Sequence, residues 1–238
     1  MKIGITERGD AALTVDQWRS KIDTVDGVIL ITKNPIKLLE YCDYIPYKSI
    51  IHVTITGHGA TALEPNVPSA EEAIEAYKKL VNMFGGERVV LRVDPIIPTV
   101  DGFGEARRII SQRQGRLRVS ILDLYPHVKE RLYNKMPELA AELTNVSLYG
   151  NKSIHLNDSI RLPALKYLTE IGAEICGEPG ISCTGCVSIK DLEIMGINPG
   201  KLDKSKQRAA CACVAAKTEL LSKRHPCIHG CLYCYWKD

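Results

Sequence analysis

The sequence predicts an α/β fold, a parallel (β/α) sheet rolled into a partial or closed TIM-like barrel, with an irregular cysteine-rich metal region at its C-terminal end. Three observations lead there. Short apolar runs recur along the chain, amphipathic stretches of helical period separate them, and eight of the nine cysteines crowd between residues 176 and 234 of 238. Alternating β and α units put successive strands in parallel and join them by right-handed crossovers. A doubly wound sheet uses the same alternation and is the alternative.

KIGIT (2–6), GVILIT (27–32), SIIHVTIT (49–56), RVVLRV (88–93), RLRVSILDLY (116–125) and GAEIC (172–176) read as strands. Several are apolar at consecutive positions, the pattern of parallel strands covered on both faces. Between them, Pro35 opens a helix in PIKLLEYCDY at the position where proline is tolerated. In PSAEEAIEAYKKLVNMFGG, Ser69 caps and Glu72 completes a capping box; Ile74, Tyr77, Leu80, Val81 and Phe84 form one stripe, and Gly85 stops the helix. HVKERLYNKMPELAAEL and IRLPALKYLTEIG are helical too, and Pro137 and Pro163 must fall near a helix start or at a kink. No repeat, low-complexity tract or linker breaks the pattern. One structural unit is expected, with the barrel over residues 1–180 and the tail, 181–238, packed on it.

Composition bounds the function. With 45% hydrophobic and 25% charged residues, and no apolar run near the ~18 residues of a membrane span, the chain is expected to be globular, cytoplasmic and without a membrane partner. Its start, MKIGITERGD, lacks the basic and apolar regions of a secretory signal. A net charge of +3 does not by itself argue for nucleic acid, and the one basic cluster, KLDKSKQR (201–208), reads as a solvated helix face before a phosphate contact. Nine cysteines are unusual in a reducing compartment, and eight bunched together read as metal ligands, leaving Cys42 as a small core residue.

The carboxyl ends of parallel strands converge on one face and hold the active site. Here they supply Thr32, Lys33, Asn34, then Thr54, Thr56, His58, then Arg92 and Asp94, then Asp123 and Tyr125, then Glu178. Lys33, Arg92, Asp94, Asp123 and Tyr125 are the catalytic candidates. Arg92 and Asp94 are two apart and share a strand face, so a purely structural ion pair is the plain alternative.

The tail is more specific. Cys227, Cys231 and Cys234 form CxxxCxxC in PCIHGCLYCYWKD, with Tyr233 before the last thiol. Soft thiolates bind zinc or iron–sulfur clusters, and a three-cysteine loop leaves a fourth position open. His225 and His229 flank the loop and would complete a zinc site instead.

This loop resembles the signature of the radical SAM superfamily. The resemblance implies a [4Fe–4S] cluster on Cys227, Cys231 and Cys234, its open iron chelating S-adenosylmethionine, with Tyr233 and Thr56 among the cofactor-binding residues. One electron would then give a 5′-deoxyadenosyl radical that abstracts hydrogen from substrate, so an electron donor is implied. ITKNP (31–35), TITG (54–57), LEPNVPS (63–69), RVDPIIP (92–98) and SILDLY (120–125) look like strand ends of spore photoproduct lyase and its relatives. Together with CxC before a terminal CxxxCxxC, they more closely resemble a bacterial and phage family of unknown function, over residues 27–236. By this analogy Arg92 and Lys33 meet a phosphate or the cofactor carboxylate, Asp94 and Asp123 ribose hydroxyls or a substrate amine, and Tyr125 relays hydrogen. Four of the remaining five cysteines would close a second site for zinc or a second [4Fe–4S] cluster, and the resemblance to that family implies Cys176, Cys186, Cys211 and Cys213 as its ligands, with Cys183 as a neighbour that could substitute. Metals, rather than a core of its own, would dock the tail.

Three features depart from the superfamily. CxxxCxxC usually follows the first barrel strand and here comes last, which a circular permutation would reconcile. The expected segment before it is replaced by VAAKTELLSKRHP (214–226), and Gly85-Gly86-Glu87 closes a helix rather than ending a strand. The resemblance to a DNA-repair lyase makes a nucleobase or modified nucleotide the first substrate class to test, within the broader range of small molecules and nucleic acid. The competing readings are a non-catalytic zinc- or cluster-stabilised module binding nucleic acid or a partner, and a hydrolytic or metal-assisted barrel with the tail as a clasp.

Overall fold

The computed structural model describes residues 1–149, 153–200, 210–222 and 227–236, so the basic run 201–208 and His225 lie outside the described residues. All six expected runs form strands: β1 (Ile3–Ile5), β2 (Gly27–Thr32), β3 (Ser49–Thr54), β4 (Val89–Ile96), β5 (Arg116–Ile121) and β6 (Ala173–Ile175). A further strand, β7 (Lys217–Glu219), falls inside VAAKTELLSKRHP. Between β1 and β2 lies α1 (Val15–Arg19), and α2 (Pro35–Leu39) follows β2. Helices α3 (Ala70–Phe84) and α4 (Val100–Ile110) follow β3 and β4. After β5 come α5 (Pro126–Lys135), α6 (Pro137–Leu143), α7 (Val146–Tyr149) and α8 (Asp158–Glu170), and α9 (Ile189–Ile194) lies between β6 and β7.

The helix signals act as expected. Asn34 caps α2, with Pro35 in its first turn, and Ser69 and Glu72 make the reciprocal capping box of α3. Pro137 opens α6, where a missing N–H costs nothing, whereas Pro163 sits inside α8.

The seven strands form one all-parallel sheet in the order β6-β5-β4-β3-β2-β1-β7. Strands β1 to β6 add one beside another in chain order, so the sheet is singly wound, not doubly wound. It is not closed, which corrects the closed-barrel alternative: β6 and β7 are its two edges. These edge strands have three residues each, and Val187, Leu192, Met195 and Val214, from the described residues between them, pack onto a sheet face.

Alternation along each strand sorts side chains between the two faces. Leu30, Val53, Leu91 and Val119 point into the main core with Trp18, Tyr77, Leu80 and Leu132 from the helices. Ile5, Ile29, Ile50 and Val90 point the other way, into a second core completed by Leu192 and Met195 of the α9 region and by Cys176, Cys186 and Cys213. Cys42 packs partly buried against the main core, its thiol 3.9 Å from the Leu38 carbonyl. No helix of the described residues is long and apolar enough to cross a membrane.

Candidate metal centre and active-site cavity

A cavity of about 220 Å³ opens at the carboxyl ends of the strands, where ligands of open parallel sheets bind. Its wall takes Asp10 from the loop after β1, Lys33 after β2, Arg92 and Asp94 from β4, Asp123 after β5, and Cys176 and Glu178 after β6. Cys227, Cys231, Tyr233 and Cys234 line it from the tail. Cys176 and Cys186 therefore line the same cavity as the three cysteines of the terminal loop.

The sequence-predicted residues separate once their partners are seen. Lys33 is not a free cation: Nζ donates to Glu64 Oε1 and to the Tyr233 hydroxyl, both at 2.7 Å. Burial opposes its charge, yet Glu64 outweighs that and holds its pKa above the ordinary lysine value. Thr56 does not line the cavity; its hydroxyl donates to Glu64 Oε2 at 2.8 Å, so it braces the carboxylate that braces Lys33. Arg92 and Asp94 pair with each other, and Ser120 donates to Asp94. Arg92 Nε–H stays buried with no partner among the described residues. Asp123 Oδ1 lies 2.6 Å from His155 Nδ1, and Tyr125 stacks on His127 at the start of α5.

The terminal loop is held by protein, which corrects the expectation of metal docking alone. Cys231 and Tyr233 belong to the main core. Leu232 N–H donates to the Leu63 carbonyl at 3.0 Å, and Asn66 Nδ2 donates to the Ile228 carbonyl at 2.6 Å. From α5, Arg131 donates to the Cys234 and Trp236 carbonyls, and His127 Nε2 meets the Tyr235 carbonyl at 2.8 Å. His229 has Nδ1 3.1 Å from the Asn66 carbonyl and Nε2 2.8 Å from Asp10 Oδ2. Burial opposes a charge on this ring, yet Asp10 outweighs it and holds the His229 pKa above the ordinary value, so both ring nitrogens are engaged by protein groups. Asp10 also accepts from Thr32 Oγ1 and the Lys33 N–H, which ties the loop to the end of β2. Burial pushes the Cys231 thiol up to about 12, against the pull of Lys33.

The other cysteines divide clearly. Cys176 and Cys186 sulfurs are 3.3 Å apart, and the Cys186 N–H donates to Cys213 Sγ at 3.1 Å. Hydrogen bonds from Cys176 and Cys213 hold the Cys186 thiol well below its ordinary pKa, with Arg92 and Arg118 adding to the effect. Cys183 is turned into its own turn, accepting from the Glu178 N–H at 3.3 Å and donating to the Glu178 carbonyl at 3.1 Å. Cys211 packs half-buried against the same core as Cys213. Among the described residues no group of three or more His, Cys, Asp and Glu side chains is set to grip a metal ion as it stands.

Gly185 lets the 183–186 turn reach this core. Its φ is +81°, and a Cβ would sit 2.6 Å from the Cys213 nitrogen, a backbone atom that cannot yield. Gly185→Ala is therefore expected to destabilise the fold by about 1–3 kcal/mol, read as a lowered Tm; an unchanged Tm would mean that the turn and the Cys213 segment are not pressed together.

Sequence reading missed residues whose roles only the fold assembles. Asp10 and Glu64 are buried polar groups whose partners are far apart in the chain. So are Arg116 and Arg118, which project from β5 into the second core face and pair with Glu174 and Asp191. Arg118 also donates to the Cys186 carbonyl and lies 3.0 Å from His52 Nε2. Two arginines at alternate positions of an apolar strand, RLRVS, were the available signal.

An open, singly wound parallel sheet with a thiol- and carboxylate-lined cavity at its carboxyl rim places the chain among α/β proteins. The chain belongs to the family described as Domain of unknown function (DUF1848), whose profile matches residues 10–236. No curated protein and no solved structure matches it.

Proposed function

We propose that this chain is a radical SAM-type enzyme, with Cys227, Cys231 and Cys234 holding a [4Fe–4S] cluster that leaves one iron open for S-adenosylmethionine. The observation that carries the reading is the position of the loop. It follows β7, which pairs with β1 on the side away from β2, so in spatial order β7 is the first strand of β7-β1-β2-β3-β4-β5-β6. The cysteine loop thus follows the spatially first strand, as in the superfamily, although it comes last in the chain. That order supports a circular permutation.

The residues present fit the cofactors. Three soft donors face one cavity, as a cluster that keeps one iron open requires. The unpartnered Arg92 Nε–H in the cavity wall fits a carboxylate or phosphate acceptor. When bound, the cluster supplies one electron that cleaves S-adenosylmethionine to methionine and a radical able to take hydrogen from substrate.

In this reading Lys33 positions the loop through Tyr233 rather than binding phosphate. Arg92 and Asp94 orient the cofactor or substrate, the Asp123–His155 pair holds a proton beside the cavity, and Tyr125 flanks it. The substrate is a small molecule or a nucleic-acid component, a nucleobase or modified nucleotide being the first to try. An electron donor is required, and the reducing cytoplasm suits the thiols.

Anaerobic purification followed by iron and sulfide analysis and EPR of the reduced protein tests this. Expected is a cluster of about four irons on the loop, with a spectrum that changes when S-adenosylmethionine is added. Zinc on the loop, or a cluster indifferent to the cofactor, would overturn it. Glu64→Gln keeps an acceptor for Thr56 but removes the charge opposite Lys33. It is expected to weaken loop metal retention by about 10–100-fold, as loss of an outer-shell partner does, measured by chelator competition.

A further inference from the structure

We propose that Cys176, Cys186 and Cys213, closed by Cys211, bind a second thiophilic metal centre, zinc or an iron–sulfur cluster, and that Cys183 takes no part. Its ligands are not those of the terminal loop, and it does not rest on the radical reading. Its thiols come from three stretches of chain: the end of β6, the turn 183–186, and the segment leading to β7. All three are buried in the second core. Apolar packing alone would not bring sulfurs to 3.3 Å with a backbone N–H aimed at a third at 3.1 Å.

The backbone is shaped for the convergence. Gly177, next to Cys176, and Gly185, next to Cys186, both have positive φ. At Gly185 any side chain would strike the Cys213 nitrogen or the Ala212 carbonyl carbon. Small residues there allow two turns and an extended segment to meet sulfur to sulfur.

Ligand choice follows from the partners. Cys183 forms a CxxC pair with Cys186 in the sequence, yet its thiol is occupied by the Glu178 backbone on both its donor and acceptor sides. Cys211 is two residues before Cys213, partly buried against the same core, and supplies the fourth thiolate that a closed zinc or cluster site needs.

Position gives the centre a role. Cys176 and Cys186 form part of the wall of the cavity that Cys227, Cys231 and Cys234 also line. Cys213 lies four residues before Lys217, where β7 begins. A metal here pins the segment that carries β7, and with it the terminal loop, to the end of β6 across the open edge of the sheet.

The test removes the first site. A full-length chain carrying Cys227→Ala, Cys231→Ala and Cys234→Ala is purified without oxygen and assayed for zinc and iron. It is expected to retain about one zinc or about four irons per chain, the metal identity distinguishing the two kinds of centre. Adding Cys213→Ser should lower that content at least about tenfold, while adding Cys183→Ser should leave it unchanged.

A folded triple variant with no metal would overturn the proposal, as would an equal loss from Cys183→Ser or a Cys176–Cys186 disulfide in the purified chain. Because Cys213→Ser disturbs a core position, a second measurement uses the triple variant alone. Chelator or oxidant treatment should raise maleimide labelling of Cys176, Cys186, Cys211 and Cys213 together, and unchanged labelling would count against the site. Failure of S-adenosylmethionine to bind the wild-type chain leaves all these outcomes unaffected.

Discussion

Replacing Cys231 by alanine is expected to empty the terminal loop of iron and abolish cleavage of S-adenosylmethionine, while leaving the chain folded. Loss of an outer-shell partner costs about 10–100-fold in metal affinity, and loss of one of three direct ligands costs more, at least about a hundredfold. The fold should survive because the loop has its own anchors. Leu63, Asn66, Asp10, His127 and Arg131 all hold it through groups other than the Cys231 thiol, and a single core substitution of this size costs about 1–2 kcal/mol.

The measurements are iron per chain, methionine released under reductant, and the thermal midpoint, all on one preparation. Cys231→Ala protein that kept its full cluster and activity would end the radical reading. Protein that lost its fold together with its iron would instead restore the view that metal docks the tail.

The strands were legible because burial on both faces demands long apolar runs, and GVILIT, SIIHVTIT and RVVLRV have no other use. The helix starts were legible because Ser69 and Glu72 satisfy backbone N–H groups within their own turn and Pro35 has none to satisfy. Strand β7 was not legible: Lys217, Thr218 and Glu219 are polar and few, and only pairing with β1 makes them a strand. Nor was the sheet's openness, which depends on where the chain between β6 and β7 packs rather than on any strand.

At the site, spacing exposed the cysteines, since three thiols within one loop can share a metal without help from the rest of the chain. The choice between Cys183 and its neighbours needed coordinates, because it turns on which sulfur the Glu178 backbone occupies. Thr56 and Lys33 show the opposite limit. Position at a strand end suggested ligand binding for both, but Glu64, which joins them, lies in LEPNVPS (63–69), a segment whose spacing links it to neither.

Asp191→Ala is expected to be the most destabilising single change outside the metal sites. Asp191 is fully buried on α9 and accepts from Arg116 Nη2 at 2.7 Å, with Arg118 Nη2 at 3.5 Å. It also accepts from the Ser188 N–H and hydroxyl, completing the capping box of α9. Removing it leaves two guanidinium groups on the buried face sharing Glu174, and unpairing a buried charge costs about 3–5 kcal/mol. For a chain of this size each kcal/mol shifts Tm by roughly 2–4 °C, so the midpoint should fall by roughly 6–20 °C.

Glu75→Ala, which removes only the exposed partner of Lys78, should change stability by at most about 0.5 kcal/mol. Calorimetry of the two variants beside the parent chain separates the cases. An Asp191→Ala midpoint as close to the parent as that of Glu75→Ala would mean that the arginines find water or other acceptors, and that apolar packing of Leu192 and Met195 suffices to hold α9 over the second core. The expected fall would instead make the buried charge network the fastening of α9, and so a support for the thiols that share its core.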